Sequence, residues 1–258
     1  MTAVPVLVDI WLARLSRDGS LGVPNGDNPC VETNCKDSCE LSILSLDERE
    51  QRSRKRFSND RNMFALAHIL LRKTLSRYAP IAPADWHFVR GPYGKPELAE
   101  DQLASTRLRF SLSHSDDLAV CAITHGQAVG VDTEPLARDI NPDELADMVL
   151  TEAEQQELAG TTGKARNRHF LRVWTLKEAY VKAIGLGLSF PLRDCSFTGE
   201  PPALQLAPQV ADDPALWHCE SFVTDEKSDF IAIAVQRQRG QQAIIRFHPA
   251  CLERFPIR

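Results

Sequence analysis

The sequence predicts an α+β fold made of two related halves. Short alternating apolar runs, the pattern of strands, are interleaved with longer runs of helical period. Four segments then recur in the same order. Val8-Asp9-Ile10-Trp11 is echoed by Val131-Asp132-Thr133-Glu134, and Ser45-Leu46-Asp47-Glu48-Arg49-Glu50 by Leu150-Thr151-Glu152-Ala153-Glu154-Gln155. The helical stretch 61–78 has its counterpart in 168–185, and the apolar run 118–123 in 230–235. One weak match means little, but four in register indicate a duplicated unit. The 258 residues suffice for two units of about 110 to 130, each able to bury a core. The division expected is 1–127 and 128–258.

Residues 4–11 alternate as a strand. Residues 16–40 are rich in Gly, Pro, Asn, Asp and Cys without a period and read as a long loop. Ser45-Leu46-Asp47-Glu48 is a helix-start signature, and that helix is expected to run on through the basic residues Arg49, Arg52, Arg54, Lys55 and Arg56. Asp60 opens a second helix with Met63, Phe64, Ala67, Leu70, Leu71, Leu75 and Tyr78 on its apolar stripe, ended by Pro80. A short strand at 86–90 enters the turn Gly91-Pro92-Tyr93-Gly94-Lys95-Pro96. Strands at 109–113 and 118–124 flank a His114-Ser115-Asp116-Asp117 turn, and a third spans 128–134.

The helix ending at Gly185 has strong helix formers and no proline. Phe170, Val173, Leu176, Tyr180, Val181 and Ile184 share one apolar arc with Trp174 at its edge. Lys177 falls inside that arc, where a solvated face would not put a charge. Glu178 and Lys182 lie one turn apart beside the tryptophan. The loop 16–40 and the tail after Val235 carry no readable role.

Hydrophobic residues at 43% and charged residues at 25% are those of an ordinary globular protein. A net charge of −5 argues against nucleic acid, while the local basic cluster at 49–61 suggests a single anionic ligand. No apolar run approaches the ~20 residues of a membrane span. The N-terminus has neither a basic start nor a small-residue cleavage site, so a cytoplasmic protein is expected. Of seven cysteines only Cys30, Cys35 and Cys39 cluster, and no spacing completes a zinc site; reduced thiols in a loop are expected.

A strand period of two puts Asp132 and Glu134 on one face, ended by Pro135, where two carboxylates can hold a hard divalent cation. Read alone, such a pair is more often a solvated strand end. Glu178 would make a third carboxylate, and Lys182 would neutralise a phosphate held by the metal. Ser113 and His114 are neighbours in a strand and point apart, so they cannot form a Ser–His dyad. With Arg90, Lys95 and the run 52–56 they could instead bind a second phosphate, although each taken singly reads as ordinary surface.

Gly94-Lys95-Pro96, Phe110-Ser111-Leu112-Ser113-His114, Gly130-Val131-Asp132-Thr133-Glu134 and Trp174…Lys177-Glu178…Lys182…Gly185-Leu186-Gly187-Leu188 together resemble the 4′-phosphopantetheinyl transferase family, most closely its larger, Sfp-type branch. The resemblance covers 45–197. It implies a pseudo-dimer of two similar α+β halves, each an antiparallel sheet packed on a long helix. It implies an enzyme that moves the phosphopantetheine arm of coenzyme A onto a serine of an apo acyl, aryl or peptidyl carrier protein, acting as a monomer. Asp132, Glu134 and Glu178 match its Mg2+ site, which Mn2+ could also fill, and Asp132, Glu178 and Lys182 its catalytic set. Arg90, Gly94, Lys95 and Pro96 match the segment along the adenine and 3′-phosphate, with Ser111, Ser113 and His114 reaching that phosphate. Glu178 is a candidate base for the serine hydroxyl, and Glu154 a second one.

Two positions depart from the family pattern. Ser53 stands where a basic residue is usual, so Arg52 or Arg56 would take its place, and Ser111 stands for an asparagine. The rival readings are a Mg2+-dependent hydrolase of the coenzyme A pyrophosphate and a non-catalytic coenzyme A-binding module.

Overall fold

The computed structural model describes residues 4–15, 40–224 and 228–249. In chain order the elements are β1 (Val6–Arg14), α1 (Leu46–Ser53), α2 (Ser58–Leu75), β2 (Phe88–Arg90), β3 (Pro96–Leu98), α3 (Glu100–Thr106), β4 (Leu108–His114), β5 (Leu118–His125) and β6 (Val129–Pro135). They continue with α4 (Pro142–Val149), α5 (Glu152–Ala159), α6 (Gly163–Ile184), β7 (Cys195–Thr198), β8 (Ala203–Leu206), β9 (Trp217–Val223), β10 (Asp229–Gln236) and β11 (Ala243–Pro249). Residues 16–39, with Cys30, Cys35 and Cys39, lie outside the described residues.

Strand periodicity sorts the side chains into three cores. The odd-numbered face of β1, with Trp11 and Ala13, joins Phe110 and Cys121 beneath Leu66, Leu70 and Leu71 of α2. Its other face, Val6, Val8 and Ile10, meets Val129, Val131, Ile231 and Ile233 of a second sheet. The far side of that sheet, with Ala232 and Ala234, carries α6 through Leu176, Ala179, Tyr180 and Ala183. The layers therefore run helix, sheet, sheet, helix.

Strand order repeats as well. The first sheet contains β1-β5-β4 and the second β6-β10-β9, every neighbouring pair antiparallel. The expectation of purely antiparallel sheets needs one correction. β11 adds to the first sheet parallel to β1, from Val6 opposite Ala243 to Leu12 opposite Pro249. The tail thus returns from the end of the chain to its beginning. Arg246 and His248 both reach the buried Asp9 of β1, at 2.7 and 2.8 Å.

α1 also stops short of the expected run: it ends at Ser53, and a turn through Arg54 and Lys55 precedes α2, which starts at Ser58 rather than Asp60. α1 and α5 open on matching capping boxes, Ser45 with Glu48 and Thr151 with Glu154. Each capping glutamate then turns inward to a cation on the long helix of its layer. Glu48 takes Arg72 of α2 at 2.9 Å and His68 at 2.9 Å; Glu154 takes Lys177 of α6 at 2.6 Å.

Burial pushes the Glu48 carboxyl up, but His68, the Ser45 amide and Arg72 outweigh it and bring it down to about 2. A folded pKa below the unfolded value gives stability that is present above about pH 4.5 and lost as pH falls towards 2. Denaturant titrations should therefore show wild type losing roughly 2–3 kcal/mol between pH 5 and 2 through this group, a loss much reduced in Glu48→Gln.

Gly130 sets how closely α6 approaches β6. A Cβ there would lie 1.9 Å from the Ala179 carbonyl oxygen and 2.4 Å from the Ala183 nitrogen, both backbone atoms. Only glycine fits so close an approach. Gly130→Ala is expected to lower stability by about 1–3 kcal/mol or more by forcing the helix off the strand. Thermal melts measure that loss, and the shift should also displace the functional side chains on both elements.

Candidate active site

The close packing at Gly130 brings two turns of α6 beside the end of β6. Asp132 is buried on the face of β6 that meets α6, and the helix carries Glu178 and Lys182. Lys182 Nζ donates to Asp132 Oδ1 at 2.6 Å and to Ser113 Oγ at 2.8 Å, and Ser113 donates to the same Oδ1 at 2.8 Å. Ser113 comes from β4 in the other sheet, so the cluster spans the seam between the layers. Ser111, two residues earlier, accepts the Val131 amide at 3.0 Å and sutures β4 to β6. Ser113 points inward and His114 outward, as the strand period requires.

Three features distinguish this cluster from a sealed ion pair. Asp132 Oδ2 is buried and has no hydrogen-bond partner. Burial and then the charge of Asp132 raise the Glu178 carboxyl, against the pull of Lys182. Burial also raises Glu134, with Asp132 adding to it and Arg138 opposing. Crowded carboxylates around an orphaned oxygen are a donor set suited to a hard divalent cation.

No group of three His, Cys, Asp or Glu among the described residues is already arranged to hold a metal. Glu134 instead grips Arg138 through both carboxylate oxygens, at 2.5 and 2.6 Å. Arg138 is 45% exposed and Glu134 12%, so the pair lies at the edge of the pocket with its cation towards solvent.

Two cavities flank Lys182. One of about 530 Å³ is lined by Ser113, His114, Asp132, Glu134 and Lys182, together with Lys55. The other, about 210 Å³, is lined by Gly94, Lys95, Pro96, Ser111 and Lys182, with Tyr93 and Gly185. Most of the residues singled out in sequence are thus brought together. From the basic run, however, Lys55 lines the larger cavity, while Arg52 and Arg56 line neither; Arg56 lies over Phe57. Arg90 also stays outside both, bracing the turn through Gly94 O at 3.4 Å and Gln51 at 3.2 Å. His114 sits exposed at its strand end. Nearby protein bulk, then Lys182, Lys55 and His68, hold its imidazole below the usual value.

Glu154 is corrected from candidate base to structural residue. It is wholly buried, accepts the Phe197 amide at 2.8 Å, and is paired with the equally buried Lys177. Lys177 also donates to the carbonyls of Val149 and Leu192 at 2.7 and 3.0 Å, which explains a charge in the apolar arc. Sequence reasoning missed the placement of Lys55 and the hold of Arg138 on Glu134. The i,i+4 spacing of Glu134 and Arg138 was the available signal for the latter.

Residues 128–236 match the family model for the 4′-phosphopantetheinyl transferase superfamily, and residues 33–126 the model for the 4′-phosphopantetheinyl transferase N-terminal region. The chain is 34% identical over 170 residues to 4′-phosphopantetheinyl transferase HetI of Nostoc sp., an alignment covering 65% of this chain and 71% of that one. It is 30% identical over 148 residues to a putative 4′-phosphopantetheinyl transferase of Synechocystis sp., covering 57% and 59%. Among solved structures, holo-[acyl-carrier-protein] synthase of Thermotoga maritima aligns at 25% identity and a TM-score of 0.35 over 43% of this chain and 64% of that one. Fold and site together make an α+β protein with an acidic, lysine-backed pocket at the seam of two sheets. The chain belongs to the 4′-phosphopantetheinyl transferase superfamily.

Proposed function

We propose that the protein transfers the 4′-phosphopantetheine group of coenzyme A to a serine of an apo acyl, aryl or peptidyl carrier protein, giving the holo carrier and adenosine 3′,5′-bisphosphate. The observation that carries this reading is the orphaned, buried Asp132 Oδ2 beside Lys182, between two cavities that together offer room for a long, phosphate-bearing substrate.

Asp132, Glu134 and Glu178 would hold Mg2+, or Mn2+ in its place, which when bound supplies charge neutralisation at the pyrophosphate. Lys182 gives a pyrophosphate oxygen a cation fixed in advance by Asp132 and Ser113, so little reorganisation accompanies reaction. His114 and Lys55, which line the larger cavity, would meet a further phosphate. Gly94, Lys95, Pro96 and Ser111 border the smaller cavity, and Arg52, Arg56 and Arg90 stand outside both. Glu178 lines neither cavity, but its place near Asp132 and Lys182 supports it as the third cation ligand, and it is kept as the candidate base for the serine hydroxyl.

We also read residues 1–127 and 128–258 as the two halves of a pseudo-dimer acting as a monomer, with β11 returning to the first half. The matching strand orders, the paired capping boxes and the abutting family models support this. Among the described residues no helix is long and apolar enough to cross a membrane.

The test is incubation of the protein with Mg2+, coenzyme A and a panel of apo carrier domains. The expected result is a carrier heavier by one phosphopantetheinyl group. Unmodified carriers together with slow breakdown of coenzyme A would replace the transferase by a pyrophosphate hydrolase. Unmodified carriers and intact coenzyme A would leave a binding module.

A further inference from the structure

Lys95 lies in the turn between β2 and β3, in the first half, yet its ammonium is anchored in the second. Nζ donates to the carbonyl of Ala183 at 3.1 Å and to that of Val129 at 3.2 Å. The stem passes Gly185, where an added Cβ would stand 3.4 Å from Lys95 Cδ. Ala183 directly follows Lys182 and belongs to the last turn of α6, whose carbonyls have no partner within the helix. Gly185, in the left-handed region at φ +76°, closes that turn by donating its N–H to Val181 O, which leaves the Ala183 carbonyl to be satisfied from outside. Val129 opens the strand that bears Asp132 three residues on. A single ammonium therefore holds both elements of the Lys182–Asp132 contact, and a cation at a helix C-terminus also suits the helix dipole. Burial brings the Lys95 amine down to about 8, yet its hydrogen atoms are aimed at backbone carbonyls.

We propose that Lys95 is a positioning residue, a C-cap supplied to α6 from the other half of the molecule, which keeps Lys182 in register with Asp132 instead of binding a phosphate of coenzyme A. The proposal rests on the transferase reading for its kinetic consequence but not for its structural one. Lys95→Met keeps the length of the stem and removes the donors.

The experiment compares wild type, Lys95→Met and Lys95→Arg with coenzyme A and with coenzyme A lacking its 3′-phosphate, alongside amide hydrogen exchange on each protein. A misplaced Lys182 should lower kcat by about a hundredfold in the methionine variant with little change in KM. The factor should be the same for both substrates, and arginine, which retains donors, should recover part of it. Exchange should quicken in 181–185 while the β4, β5 and β10 amides stay protected, which also shows that the variant is folded. A loss carried by KM that disappears without the 3′-phosphate would overturn the proposal, as would unchanged exchange at 181–185 or an arginine variant no better than methionine. If wild type transfers nothing to any carrier, the transferase reading fails, and the exchange measurement still decides the role of Lys95.

Discussion

Alanine at Asp132 is expected to lower carrier modification about a hundred- to thousandfold while the protein stays folded. The side chain gives Lys182 its fixed position, and its second oxygen is buried without a partner. Lys182 is already 31% exposed, so it stays solvated when Asp132 is removed; the structural cost should be small and the catalytic cost large. Glu178→Ala should lose activity on the same scale. The measurement is single-turnover transfer with saturating Mg2+, alongside a melting curve. Wild-type turnover in either variant would end the assignment of these carboxylates.

Lys177→Met should have the largest effect on stability. Lys177 and Glu154 are both wholly buried and 2.6 Å apart. Taking away one charge strands the other without solvent, a change that commonly costs about 3–5 kcal/mol. The pair Glu154→Gln with Lys177→Met removes both charges and should cost less than the sum of the single changes. Denaturant unfolding of the four proteins in one cycle measures the difference. An additive double variant would show that the two side chains do not act as a pair. A fall in transfer rate proportionate to unfolding would fit the structural role assigned to Glu154; a deep loss of kcat in folded Glu154→Gln would reopen its candidacy as a base.

Much of the fold was legible because its signals are local. The capping boxes at Ser45 and Thr151, the apolar arc of α6 and the alternation of β1 and β6 each sit within a few residues. The duplicated order of these signals is what carries the proposed reading of two halves. What could not be read depends on contacts between segments far apart in sequence. Nothing near Glu154 announces a partner 23 residues on, and nothing after Val235 announces a parallel strand beside β1. The end of α1 at Ser53 was missed because basic residues continue beyond it without a breaker.

The site divides in the same way. Asp132, Glu134, Glu178 and Lys182 were singled out because strand and helix periods place each pair on one face and because they match the motifs of the family the sequence resembles. Which of them meet was left to tertiary packing. The missing Cβ of Gly130 lets α6 rest on β6, and only then does Lys182 reach Asp132. Ser113 and Lys55 arrive from the other half, and Glu134 is held aside by Arg138. Lys95, read from its motif as a ligand contact, points to two carbonyls. Periodicity within a segment therefore determined the chemical inventory of this protein. Distance and direction between segments, which depend on close packing across the seam, decided which groups act together.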